Sequence, residues 1–132
     1  KLHKDLQACG TKYYPFVGKT PGYPAKIIKS MEEIRQDMEN AVRAGVEGVS
    51  IPAYMHDDYT GFEILSRLRE EWPDVPMLVA GRVSNRERIE EMFRLRTSYT
   101  IGGAIFKKEF APEGSYGDNV QALYDLHQEI GG

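Results

Sequence analysis

Pro76-Met77-Leu78-Val79-Ala80-Gly81-Arg82-Val83-Ser84-Asn85 is the stretch on which the fold turns. Met77 to Ala80 form an apolar strand with no polar alternation, the pattern of a strand covered on both faces in a parallel sheet. Gly81 ends it at a point where a backbone N–H can approach a ligand with no Cβ in the way. Ser84-Asn85-Arg86-Glu87 then has the form of a capping box, and Ile89, Met92 and Phe93 follow as the buried stripe of a helix. The pattern repeats at once. Ser98-Tyr99-Thr100-Ile101 reads as a second strand, ending in Gly102-Gly103-Ala104-Ile105. Two consecutive strands therefore end in glycine ahead of a helix N-terminus, where unpaired N–H groups and the helix dipole favour an anion.

The same alternation extends toward the N-terminus. Ser30-Met31-Glu32-Glu33 is a capping box, with Ile34, Met38, Ala41 and Val42 behind it at helical spacing and Gly45 as the stop. Val49-Ser50-Ile51-Pro52 reads as a strand. Thr60-Gly61-Phe62-Glu63 opens another helix, which carries Phe62, Leu65, Leu68 and Trp72 and stops at Pro73. A last helix is expected from about Asp118, presenting Val120, Leu123, Tyr124 and Ile130. Ahead of all these, residues 2–9 read as a helix and residues 13–17 as a strand. Residues 18–24 read as a Gly/Pro-rich loop and Lys26-Ile27-Ile28 as a short strand.

Strands alternating with amphipathic helices predict an α/β fold with a parallel sheet, in one domain spanning residues 1–132. The count is about four βα units. A closed (β/α)8 barrel needs eight, and usually ~250 residues. Two architectures fit: half of such a barrel, or a self-sufficient doubly wound sheet of flavodoxin type. Adjacent strands ending in glycine favour the half-barrel; length favours the doubly wound sheet.

Bulk properties narrow the function classes. At 132 residues, 41% hydrophobic and 28% charged, the chain has the composition of one folded domain. A net charge of −3 gives no electrostatic footprint for nucleic acid or an anionic membrane. No apolar run approaches the ~20 residues that span a bilayer. The single cysteine, Cys9, excludes an internal disulfide framework and fits a reducing compartment. Lys1 in place of an initiator Met fits a processed or truncated chain.

The anion-site candidates are Gly81, Arg82, Ser84, Gly102 and Gly103. Tight βα turns and a helix cap would account for single glycines and for Ser84, but a Gly pair directly after a strand exceeds what one turn needs. Lys107 and Lys108 follow the pair as further cations or as a solvated surface. Loops at the carboxyl ends of parallel strands form the ligand-facing rim, which makes His56, Asp57 and Asp58, with Tyr54 beside them, the acid/base candidates. A solvated polar loop is the alternative for these residues. His56 has no partner at metal-ligand spacing, and neither a metal nor a cofactor is expected. Phe16-Val17-Gly18-Lys19-Thr20 has the look of a P-loop end, but the position needing the earlier glycine holds Tyr13, so the motif fails. Lys26 and Lys29 occupy positions suited to a Schiff-base lysine, a role that requires a desolvating pocket.

From about Gly45 to Ile130 the chain resembles the C-terminal half of the phosphate-binding (β/α)8 barrels. That group includes phosphosugar isomerases, aldolases and phosphoribosyl-linked enzymes. Gly48 to Ile51 resembles strand six, Pro76 to Ser84 strand seven and Tyr99 to Phe106 strand eight. Arg82 departs from the pattern, which has a second small residue there; it either adds charge to the anion or blocks the site. The resemblance implies a cytoplasmic enzyme or enzyme fragment, aldolase- or isomerase-like, holding a phosphorylated small molecule at its last two strands. A barrel scaffold hosts many reactions, so chemistry is not named by it. The alternatives are a non-catalytic α/β assembly module and a flavodoxin-like domain. A half-barrel also has two unpaired parallel edges, which predicts a homo-oligomer or a complementary half-barrel as partner.

Overall fold

The computed structural model describes residues 2–17 and 27–132. The P-loop-like glycine and lysine at 18 and 19, the Gly/Pro-rich loop at 18–24 and Lys26 lie outside the described residues. In chain order the elements are α1 (Leu2–Ala8), α2 (Met31–Arg43), β1 (Val49–Ile51), α3 (Gly61–Glu71), β2 (Met77–Ala80), α4 (Arg86–Arg94), β3 (Ser98–Thr100), α5 (Gly103–Phe106) and α6 (Tyr116–Gly131). The strands form one open parallel sheet in the order β1-β2-β3. Residues 15–17 of the segment expected as a strand meet β1 on its other edge through one isolated parallel bridge. Phe16 bridges Ser50 in parallel, the Val17 N–H donates to the Ser50 carbonyl at 2.9 Å, and the Ser50 N–H donates to the Pro15 carbonyl at 2.8 Å.

Strand alternation assigns the two faces. Val49, Ile51, Met77 and Val79 point to one side and are buried, packed with Ile34, Met38, Ile64, Leu65, Leu68, Ile89 and Met92 of the helices. The register sets Ser50, Leu78 and Ser98 in one row and Ala80 beside Thr100 in the next, all facing the other way. That face is open on either side of buried Ser50: Ser98 and Thr100 are exposed, Leu78 and Ala80 half-buried, and Phe16, paired with Ser50, is 67% exposed. The helices lie side by side along the covered face. α2 packs on α3 and α4 on α6, while Arg94 of α4 sits over the Phe62 ring of α3 at 5.7 Å. No helix among the described residues is long and apolar enough to cross a membrane.

Helix ends follow side-chain chemistry. Ser30 accepts the Glu33 N–H, and Thr60 and Glu63 form a complete reciprocal capping box. The third box is one residue out of the expected register: Asn85 rather than Ser84 caps α4, its Oδ1 accepting the Arg88 N–H at 2.9 Å. Ser84 is thereby left on the rim. α6 starts earlier than Asp118, because Ser115 and Asp118 make a box of their own. Its buried stripe also differs from the expected one. Asn119, Leu123, Leu126 and Ile130 face the core, and Val120 and Tyr124 are exposed. Asn119 explains the rotation. It is fully buried, accepts the Phe110 and Ala111 N–H groups on Oδ1, and donates through Nδ2 to the Ala111 and Ser115 carbonyls. A satisfied polar residue can hold a buried helix position that hydrophobic periodicity assigns elsewhere.

Candidate functional site

Because β1, β2 and β3 are parallel, their carboxyl ends share one edge of the sheet, and every rim candidate follows one of those ends. At the end of β2, Gly81 has φ +93° and Arg82 φ +58°, so two successive left-handed residues turn the chain toward α4. A positive φ favours glycine at the first of them. A Cβ there would lie 2.2 Å from the Met55 methyl, which reaches across from the β1 loop. Arg82 holds the same backbone region with a side chain attached, an uncommon state for a non-glycine residue. Its carbonyl accepts a hydrogen bond from Nη1 of Arg88, one turn into α4, and buried Val83 anchors the segment between them.

At the end of β3, Gly102 and Gly103 differ from Gly81. Neither has positive φ, and no described atom lies within 4 Å of a Cβ built on either. Neither the turn nor the packing among the described residues calls for glycine at these two positions. The chain continues into α5, a helix of four residues pinned by buried Ala104.

These ends enclose a cavity of about 430 Å³ whose walls include all five residues singled out for an anion: Gly81, Arg82, Ser84, Gly102 and Gly103. Arg88 and Lys107 add two cations to Arg82, against one carboxylate, Glu109. Lys108 turns away, its ammonium 5.3 Å from the centroid of the Tyr116 ring.

A second cavity, about 390 Å³, lies at the end of β1 and brings together His56, Asp57 and Asp58 with Tyr54, Glu87 and Glu91. Arg88 lines both cavities. Its guanidinium carbon sits 4.4 Å from the centroid of the Tyr54 ring, and the Tyr54 hydroxyl donates to the Glu91 carboxylate. Burial, reinforced by that hydrogen bond, pushes the Tyr54 phenol well above its ordinary range, so it remains protonated at neutral pH. Among the charged residues, cations predominate in the first cavity and carboxylates in the second.

His56 is engaged on both ring nitrogens. The Asp58 backbone N–H donates to Nδ1 at 2.9 Å, which leaves the hydrogen on Nε2, and Nε2–H donates to the Lys29 carbonyl at 2.7 Å. With the parallel bridge between Ile27 and His56, this ring ties the segment before α2 to the β1 loop. Lys29, a Schiff-base candidate by position, is ion-paired with Asp37 of α2 at 2.6 Å. Among the described residues no group of three or more His, Cys, Asp or Glu side chains is arranged to hold a metal ion.

Sequence reading found the glycines and the β1 loop but missed Arg88, Glu87 and Glu91. They belong to the first turns of α4, which in a βα unit start at the rim. That placement was the available signal. No protein-family model matches the chain, no curated protein matches it in sequence, and no solved structure matches its fold.

Proposed function

We propose that this chain binds a phosphorylated small molecule in the cavity between the carboxyl ends of β2 and β3, as an enzyme or as part of one. The observation that carries the reading is convergence. Five residues chosen from two separate strand ends line one cavity of about 430 Å³, with Arg82, Arg88 and Lys107 around it. Open backbone at Gly102 and Gly103 gives phosphate oxygens access to N–H groups, and guanidinium groups pair well with them. The half-barrel is the architecture that goes with this reading. It is supported by the sequential parallel order of residues 15–17, β1, β2 and β3 and by helices along one face. A flavodoxin-like sheet reverses its strand order at a switch point, and no reversal occurs among the described strands.

Asp57 and Asp58, in the adjoining cavity, are the acid/base candidates, beside the Tyr54 phenol, which burial holds protonated as a hydrogen-bond donor. An aldolase- or isomerase-like reaction in a cytoplasmic, metabolic setting follows from the resemblance. A second reading, phosphate binding without catalysis, is favoured by one observation: both nitrogens of His56 are spent on holding the chain.

Titration with inorganic phosphate and with a panel of phosphosugars, followed by calorimetry and by NMR, tests the site. Binding with shifts at the Gly102 and Gly103 amides, lost in Arg82→Ala, is the expected result. No heat and no shift at millimolar phosphate sinks the reading. Turnover of a phosphosugar that Asp58→Asn or Asp57→Asn abolishes separates the enzyme from the binding module.

A further inference from the structure

The exposed apolar side chains of this protein are not scattered. Among the described residues, Leu2, Phe16 and Ile28 lie in the segments before α2. Phe106, Tyr116, Val120 and Tyr124 lie on α5 and α6. All are more than half exposed, and α2, α3 and α4, in the middle of the array, carry none. On α6, Tyr116, Val120 and Tyr124 recur at intervals of four and form one stripe, which the Phe106 ring extends by an edge contact to Tyr116 at 5.8 Å. Apolar exposure of this kind marks an interaction surface when it is contiguous. Here it occurs at the two ends of a sheet that is itself open at both ends.

The two sheet edges match each other. β3 pairs only with β2, and residues 15–17 pair only with β1, so each presents a free edge among the described residues. All four segments are parallel, so the edges have the same polarity. A two-fold rotation about an axis along the strands sets β3 of one chain beside residues 15–17 of a second. The same rotation makes the reciprocal joint. Four parallel segments per chain give eight in the pair, the number at which a closed barrel has an interior that side chains just fill. The uncovered face supplies that filling with Phe16, Leu78, Ala80 and Thr100.

We infer that two copies of this chain associate head to tail, β3 of each pairing with residues 15–17 of the other, to close an eight-stranded parallel barrel. The exposed stripe of α6 then packs against the N-terminal segments of the second copy. This inference rests on the sheet and not on the anion cavity, so phosphate titration and oligomer mass read the two independently.

Multi-angle light scattering over a dilution series gives the first answer. The expected mass is twice the 15.0 kDa of the chain. A monomer that unfolds cooperatively at every concentration overturns the inference. Two exposed-site variants then fix the mode of pairing, with circular dichroism confirming that each remains folded. Tyr124→Asp alters the C-terminal end and Phe16→Asp the N-terminal end. In head-to-tail closure each variant alone yields monomer, and mixing the two restores part of the dimer because one of the two joints is then wild type on both sides. A dimer broken by Tyr124→Asp and untouched by Phe16→Asp would mean α6 packing on α6, and would also overturn the proposal.

Discussion

The guanidinium of Arg88 stacks on the ring of Tyr54, 4.4 Å from its centroid, and this contact forms the wall between the cation-lined and the carboxylate-lined cavities. Tyr54 orients the arginine from below, and the Arg82 carbonyl holds it from the side. Arg88→Gln should weaken phosphate binding roughly 10–100-fold, since a hydrogen bond to a charged group contributes about 1.5–3 kcal/mol. Tyr54→Phe keeps the ring beneath the cation and should leave affinity unchanged, while Tyr54→Ala, which removes the stacking worth about 0.5–1 kcal/mol, should weaken it about 2–5-fold. Calorimetry with inorganic phosphate on the three variants checks this. Wild-type affinity in Arg88→Gln would remove Arg88 from the site.

The glycines at the two strand ends should respond in opposite ways. Gly81→Ala places a Cβ in the left-handed region and against the Met55 methyl, so it should destabilise the protein by about 1–2 kcal/mol from the backbone alone. Adding Met55→Ala should recover only the steric part of the loss. Gly103→Ala meets no described atom and should change stability by less than about 0.5 kcal/mol. Gly103 lines the cavity proposed for phosphate, so an added methyl group there should lower binding. Urea melts and phosphate titrations on the same samples separate the two effects.

Among the described residues, Arg69 is the charged side chain that is buried. Although on a helix, it is 8% exposed and gives every nitrogen to carbonyl oxygens: Nε to Leu95 at 2.9 Å, Nη2 to Arg96 at 3.0 Å, and Nη1 to Val75 at 2.8 Å with Trp72 and Pro73 at 3.2 Å. It closes the end of α3 and the end of α4 together. Arg69→Met strands several of these acceptors and should cost about 3 kcal/mol, whereas Arg67→Met, at an exposed position on the same helix, should cost less than about 0.5 kcal/mol. A shift in the urea midpoint at unchanged slope is the expected signature.

Acid should loosen both the N-terminal segments and the start of α6. The Glu47 carboxylate accepts the Tyr13 backbone N–H at 2.8 Å and the Gln7 side-chain amide at 3.1 Å, and the Tyr13 bond chiefly holds its pKa below the ordinary 4.5. Asp118 is likewise held below its ordinary 3.8 by the Ser115 N–H in the α6 capping box. A folded pKa below the unfolded one contributes stability above the unfolded value and loses it as pH falls through the folded value. The urea midpoint should therefore drop below about pH 4.5, and the drop should be smaller in Glu47→Gln. Wild type and variant should converge at the acid end. An equal acid dependence in both would exclude Glu47 as a source.

Much of the fold was legible in the chain because it rests on local chemistry. Met77 to Ala80 is a strand without polar alternation and Val49 to Ile51 a short run with an apolar residue on each side of Ser50, and Ser30 and Thr60 announce their helices through bonds to residues three positions on. The rim candidates at Gly81, Ser84, Gly102 and Gly103 were legible for the same reason, since a strand followed by glycine and a cap is a local pattern. Three things were not. The face of α6 turned on Asn119, a polar residue buried because loop groups at Phe110 and Ala111 satisfy it. The role of His56 turned on the Lys29 carbonyl, 27 residues away in sequence. Arg88 became part of both cavities only when the β1 loop placed Tyr54 beneath it. The sequence by itself determined which segments are strands and helices and where the chain can turn, because those follow from periodicity and from partners within a few residues. Which side chains meet, which face of the sheet stays open, and which charge stands beside which cavity were decided by tertiary structure alone, because those contacts join residues that no local pattern connects.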